Sequence, residues 1–261
     1  MEVNEITEFK VLSDGWTSAP EGVMLRGGRW SCNIRCYATA FLLRRAGGGY
    51  ILVDTGYSSR ILHLQSMWHK LYRLITPVHI TDSAGICGQL KRLGVSMADI
   101  EHVVLTHLHP DHIGGLRDFP NAKIHLHSDA IAFLRASKGF IHNIVFDELL
   151  PFDFWGRVSS MQPDVFGDGS LRAVALPGHA VGQVGILFKC GATQVFLAAD
   201  SCWLSRSYRT NIPPNNITGI IHNIPAYNKS LLIVHEMSKQ DPNLVVLPSH
   251  CPETANLICR H

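Results

Sequence analysis

Short apolar runs closed by glycine, proline or aspartate recur along the chain. They cover residues 36–45 (CYATAFLLRR), 49–54 (GYILVD), 100–106 (IEHVVLT), 122–127 (AKIHLH), 171–177 (LRAVALP), 184–189 (VGILFK), 193–200 (TQVFLAAD) and 243–250 (NLVVLPSH). Their β-branched and aromatic content predicts strands. Between them the period changes. Residues 58–75 set Ile61, Leu64, Met67 or Trp68, Leu71 and Ile75 at three-to-four spacing, with Arg60, Lys70 and Arg73 off that stripe. This predicts one amphipathic helix with a solvated basic face. Residues 83–94 end at Gly94, a helix C-cap, 128–137 open with a Ser-Asp cap, and 228–240 read as a late helix capped by Asn228. Strands in both halves, interleaved with helices, predict an α/β (α+β) chain in which two packed sheets are covered outside by helices.

No repeat or linker divides the sequence, so 1–261 reads as one domain. Two segments, 57–85 and 139–160, read as insertions that shape a substrate pocket or a lid. The second carries Phe140, Ile144, Phe146, Leu149, Phe152, Phe154 and Trp155. These fit an entrance for a hydrophobic tail, a homodimer surface, or ordinary core packing.

Composition narrows the classes. The 23 Lys plus Arg against 21 Asp plus Glu leave a formal +2, too balanced for a nucleic-acid partner. No run approaches the roughly 18 to 20 apolar residues of a membrane span, and the start shows no apolar leader, so the expected location is cytoplasmic. Seven scattered cysteines fit reduced thiols. Fifteen histidines are the one excess.

Those histidines collect where strands end. The runs close on Asp54, His107, His179, Asp200 and His250. If the strands lie side by side, their carboxyl ends share an edge, and five metal-capable groups converge in one cleft. Buried carboxylates and imidazoles need partners, and a divalent cation supplies them. In "VVLTHLHPDHIGG" (103–115), Pro110 forbids a regular helix through the cluster, and a helix is expected just after it. His107 and His109 can then point one way and Asp111 and His112 another, a geometry for two ions. Zinc suits this donor mixture, and iron or manganese accepts it too. His125 and His127, alternating along one strand, read as structural.

The His-x-His-x-Asp-His run, the separate later His, Asp and His, and the preceding Asp-Thr-Gly turn together resemble the metallo-β-lactamase-fold hydrolases, from Asp54 to His250. The resemblance implies a four-layer αββα sandwich. It implies that His107, His109 and His179 hold a first metal, that Asp111, His112 and His250 hold a second, that Asp200 bridges them, and that Asp54 orients ligands from behind. It implies hydrolysis, in which a hydroxide shared by two divalent cations attacks a carbonyl and Asp111 orients the nucleophile or relays its proton.

Within that family, "LVDTGY", "LTHLHPDHIGG" and "LPGHAVGQVGI" look most similar to the quorum-quenching N-acyl homoserine lactone lactonases. The implied substrate is a small lactone or related ester with a hydrophobic tail. The alternatives are a thioesterase or aryl-ester hydrolase of a biosynthetic pathway and, with no basic substrate arm in evidence, a phosphodiesterase or nuclease. One position departs: those lactonases place a tyrosine three residues after the bridging aspartate, and here Trp203 stands there. Tyr208 and Tyr227 are the candidates to replace its hydroxyl, and Trp203 to wall the pocket.

Overall fold

The computed structural model describes residues 5–80, 85–136, 144–217 and 219–257. Phe140, and the parts of the two expected insertions at 81–84 and 139–143, lie outside the described residues. The first half of the chain contributes strands β1 (Ile6–Pro20), β2 (Asn33–Arg45), β3 (Tyr50–Val53), β4 (Ile100–Val104), β5 (Lys123–Leu126) and β6 (Val158–Ser160). The second contributes β7 (Leu171–Ala175), β8 (Val184–Cys190), β9 (Thr193–Ala199) and β10 (Val245–Pro248). The helices before β6 are α1 (Glu21–Met24), α2 (Arg60–His63), α3 (Met67–Ile75), α4 (Gly85–Arg92), α5 (Pro110–Ile113), α6 (Ser128–Ala136) and α7 (Phe154–Arg157). After it come α8 (Ser205–Thr210), α9 (Ile224–Gln240) and α10 (Pro252–Ala255).

The strands run in the order β10-β9-β8-β1-β2-β3-β4-β5-β6, with β7 paired to β8. Among the described residues one strand-ladder pair, Ile6 with Cys190, joins the β1–β6 half to the β7–β10 half, and the Val184 amide donates to the Thr106 carbonyl at 3.0 Å across the other end. The two expected sheets are thus two halves of one mixed sheet.

Alternation along the strands builds the layers, because successive side chains leave a strand on opposite faces. Phe41, Leu43, Ile51, Val53 and Val104 point inward and meet Val184, Ile186, Val195, Leu197 and Leu247 of the other half. Their neighbours Ala40, Leu42, Leu52 and Val103 point outward and pack with Ile61, Ile86, Leu90, Ala130 and Leu134 of the helices. On the far side Phe196, Ala198 and Val246 pack with Tyr208, Tyr227, Leu231 and Val234 of α8 and α9. Three apolar interfaces make four layers, the αββα sandwich. Each fully buried Val, Leu, Ile or Phe favours this arrangement by about 1.5–3 kcal/mol before chain entropy is counted.

Several expected elements differ in detail. The 58–75 helix is broken into α2 and α3 because Ser66 restarts it, its Oγ accepting from the His69 amide at 3.2 Å. The late helix begins earlier than expected and is capped by Asn223, whose Oδ1 accepts from the Ala226 amide, rather than by Asn228. Pro110 does not precede a helix but opens one, at the first position of α5, where its missing N–H costs nothing.

Candidate metal centre

Parallel pairing sets the register of the site. Val53 sits beside Val104, so Asp54 and the 105–112 loop leave the sheet at the same edge. Leu247 sits beside Leu197, so Asp200 and His250 leave at the corresponding edge of the other half. Two strand ends depart from extended geometry: Asp54 has φ +58° and Ala199, just before Asp200, φ +49°. Such left-handed residues turn the chain abruptly, and here they mark where carboxylates are aimed into the seam. His179 is delivered by a tight turn at Gly178, whose φ is +131° and where an added Cβ would lie 2.1 Å from the Tyr227 amide nitrogen. Gly114 serves the other loop: a Cβ there would come within 2.7 Å of the Gly56 carbonyl oxygen.

All seven ligand candidates meet. Donor atoms of His107, His109 and His179 lie within 4.8 Å of one another, as do those of His107, His112 and Asp200, and those of Asp111, His112 and His250. Asp200 stands between the first and last groups. Its Oδ2 is 3.2 Å from His179 Nε2 and 2.8 Å from His250 Nε2, and its Oδ1 is 3.4 Å from His112 Nε2. His250 Nε2 is also 3.3 Å from Asp111 Oδ2.

Asp54 is buried behind this group. It accepts from the Thr106 amide at 2.8 Å, from Thr106 Oγ1 at 2.7 Å, and from His112 Nδ1 at 2.7 Å. Thr106 has thereby spent its one hydroxyl proton, so its oxygen can only accept from His107 Nδ1, 3.1 Å away. The Tyr37 carbonyl likewise accepts from His250 Nδ1 at 2.7 Å. In their neutral forms, His107, His112 and His250 must therefore all present the Nε2 lone pair to the common centre.

The charge balance fits a bound cation. Burial holds His107 and His179 well below the usual imidazole range, leaving them neutral, the form that ligates. Burial also opposes charge on His112 and His250, but it is outweighed by Asp54, Asp111 and Asp200 around the first and by Asp200 and Asp111 around the second. His112 is raised and His250 is pushed up to about 9. Burial would raise Asp200, yet His250, His179 and His112 hold its carboxyl well below the ordinary value. Buried carboxylates thus demand positive charge at this spot, and His107 Nε2, fully buried, has no hydrogen-bond partner. A cation among these donors would answer both.

The centre opens into a cavity of about 120 Å³. His109, Asp111, His179, Asp200 and His250 form its floor, and Met24, Tyr57, Tyr72, Ile75, Ile144 and Ile220 are among its walls. Trp203 lines it too, edge-on to His179 with ring centres 5.9 Å apart. Among the described lining residues neither Tyr208 nor Tyr227 appears. Tyr208 borders a separate groove beside Arg209, and Tyr227 is sealed in the α9 core. The phenol hydroxyls at the cavity belong instead to Tyr57 and Tyr72, hydrogen-bonded to each other at 2.9 Å. Sequence reasoning missed this pair. Tyr57 directly follows the Asp-Thr-Gly turn, which was the available signal. Of the 139–160 segment, Ile144 reaches the cavity, Phe146, Leu149 and Phe154 join the core, and Phe152 is 99% exposed.

His125 lies apart, its Nε2 2.9 Å from His102 Nδ1. The six described cysteines are free thiols.

Residues 33–250 match the model of the Metallo-beta-lactamase superfamily. The chain is 26% identical over 196 residues to the N-acyl homoserine lactonase AttM of Rhizobium radiobacter, covering 72% of this chain and 74% of that one. It is 24% identical over 214 residues to the N-acyl homoserine lactonase AiiB of Agrobacterium fabrum, covering 77% and 74%. An N-acyl homoserine lactone hydrolase solved with the product N-hexanoyl-L-homoserine at its catalytic metal centre superposes with TM-score 0.76 at 17% identity, over 98% of this chain and 97% of that one. The dizinc quorum-quenching lactonase AidC superposes with TM-score 0.69 at 17% identity, over 97% and 92%.

Proposed function

The chain belongs to the metallo-β-lactamase superfamily, and from that premise we propose that it is a dinuclear metal-dependent hydrolase of lactones or closely related esters carrying an apolar substituent. The observation that carries this reading is the convergence of His107, His109 and His179 with Asp111, His112 and His250, with Asp200 between the two groups. In this reading the first trio would hold one divalent cation and the second trio another, with Asp200 placed to serve either. Zinc is the preferred occupant, with iron or manganese compatible. Bound there, two cations would lower the pKa of a shared water to about 7 and polarise a carbonyl oxygen.

The protein's own groups prepare the rest. Asp54, through Thr106 and His112, fixes which nitrogen each imidazole offers. Asp111, at the cavity floor, orients the attacking water or carries its proton to the leaving oxygen. Trp203 and the walls of Met24, Ile75, Ile144 and Ile220 exclude bulk water and favour an uncharged, apolar substituent. Tyr57, Tyr72, Ile75 and Thr76 from the 57–85 segment and Ile144 from the 139–160 segment contribute to that wall, in a chain read as one domain. The lactonase names of AttM and AiiB support the lactone reading. Trp203, in place of a hydroxyl-bearing side chain, favours an aryl ester or thioester as the second reading.

The test is metal analysis followed by comparison of rates on acyl homoserine lactones of several chain lengths, acyl thioesters, aryl esters and a phosphodiester. The expected result is about two transition-metal ions per chain and fastest turnover on lactones. A fully active metal-free protein would overturn the mechanism, and a preference for thioesters or aryl esters would select the second reading.

A further inference from the structure

Helix α3 is turned the opposite way from a surface helix. Its polar positions other than Lys70 face the protein. Ser66 and His69 hydrogen-bond each other at 2.9 Å, His69 is buried edge-on to Phe146, Tyr72 reaches Tyr57, and Arg73 Nη1 donates to the carbonyls of Ile61 and Leu64 at 2.7 and 2.9 Å. Its apolar stripe faces water: Met67 is 74% exposed, Leu71 40%, Leu74 76% and Ile75 57%, with Trp68 at 41% beside them. The spacing i, i+4, i+7, i+8 makes these a continuous ridge.

We infer that this ridge is the interface between two copies of the chain, packed as a symmetric pair of α3 helices. Area is the first argument. At on the order of 180 Å² for each fully exposed side chain, the ridge with Leu62 presents roughly 600 Å² of apolar surface, the upper end of what a monomer's largest patch leaves in water. Two copies would bury about 1,200 Å², which reaches the range of stable protein interfaces. Composition is the second: Met, Trp, Leu and Ile with no acid are what the centre of such an interface carries.

A lipid surface is the competing occupant, since residues 55–81 contain no Asp or Glu. Its electrostatic attraction would need outward cations, however, and Arg60 is paired with Asp118 while Arg73 is held by carbonyls. That leaves Lys70 as the exposed cation of α3. A second copy needs no such charge. Ile75 belongs both to the ridge and to the cavity wall, so the partner would sit at the mouth of the cavity and help set what enters.

Sedimentation equilibrium of the metal-loaded protein tests the proposal, alongside Leu74→Gln and Leu71→Glu. Both side chains are exposed, so the far-ultraviolet circular dichroism and the metal content should not change. The expected result is a wild-type dimer whose dissociation constant rises at least about tenfold in each variant. A wild-type monomer at micromolar concentration, or a dimer that both variants leave intact, would overturn it. So would a monomer that floats with phosphatidylcholine–phosphatidylglycerol vesicles and loses that binding on Leu74→Gln, which would assign the ridge to lipid.

Discussion

Asp54 is wholly buried and absent from the cavity lining, yet the orientations of His107 and His112 run through it. Replacing a group that orients a ligand usually costs about 10–100-fold in metal affinity. Asp54→Ala is therefore expected to weaken zinc binding by that factor in a competition titration, while the far-ultraviolet circular dichroism stays native. Asp200→Ala removes the carboxylate that lies within 3.4 Å of His179, His250 and His112, and hydrolysis is expected to fall to background with the fold preserved. A retained rate would contradict its assignment. Legibility at this scale was high for groups named by chemistry. His107 to His112, His179, Asp200 and His250 announce themselves as ionisable residues following apolar runs. Thr106 and the Tyr37 carbonyl do not, because a hydroxyl or a backbone oxygen acquires its role only from the neighbour that the fold brings to it.

Among elements, the strands around the site were legible because each is a compact apolar run. Others were hidden by the same physics. Strand β1 mixes polar residues into its length and bends where its register with β2 shifts between Ser13 and Trp16, at Gly15 with φ +84°, so no regular alternation survives. The α3 periodicity was visible but its outward direction was not, since a pattern fixes which residues share a face and not what that face meets. Two predictions belong here. Gly178→Ala would force a Cβ into the Tyr227 backbone and strain a left-handed turn. It should destabilise by about 2 kcal/mol or more and lower Tm by roughly 4–8 °C.

The β4–β5 pair supplies the other. Burial, reinforced by His102, lowers His125 to about 4 in the folded protein. The unfolded ring titrates near the ordinary value of about 6.5. Between those values only the unfolded chain takes up the proton, so stability is complete above about 6.5 and declines as pH falls toward 4. His125→Gln should flatten that part of an acid-denaturation curve measured by urea midpoint against pH.

For the molecule as a whole, the donor set is divided across the two halves of the sheet. His107, His109, Asp111 and His112 come from the β1–β6 half, and His179, Asp200 and His250 from the β7–β10 half. Because ligands that bind only the native state stabilise it, stripping metal with a chelator should lower Tm, by an amount that grows with the affinity lost. A scan before and after zinc repletion measures it. The Ile6–Cys190 bridge then takes on a mechanical meaning. Among the described residues the strand ladder joins the halves at that pair alone, and apart from scattered hydrogen bonds such as Val184 N–H to the Thr106 carbonyl the seam is held by interdigitated side chains, which can part without breaking a ladder. Ions straddling the far end of that seam would act as a clasp on a hinged case. Amide hydrogen exchange should accordingly accelerate along the inner faces of β3 and β9 when the clasp is removed, and the chain should become open to protease at the linking segment between β6 and β7.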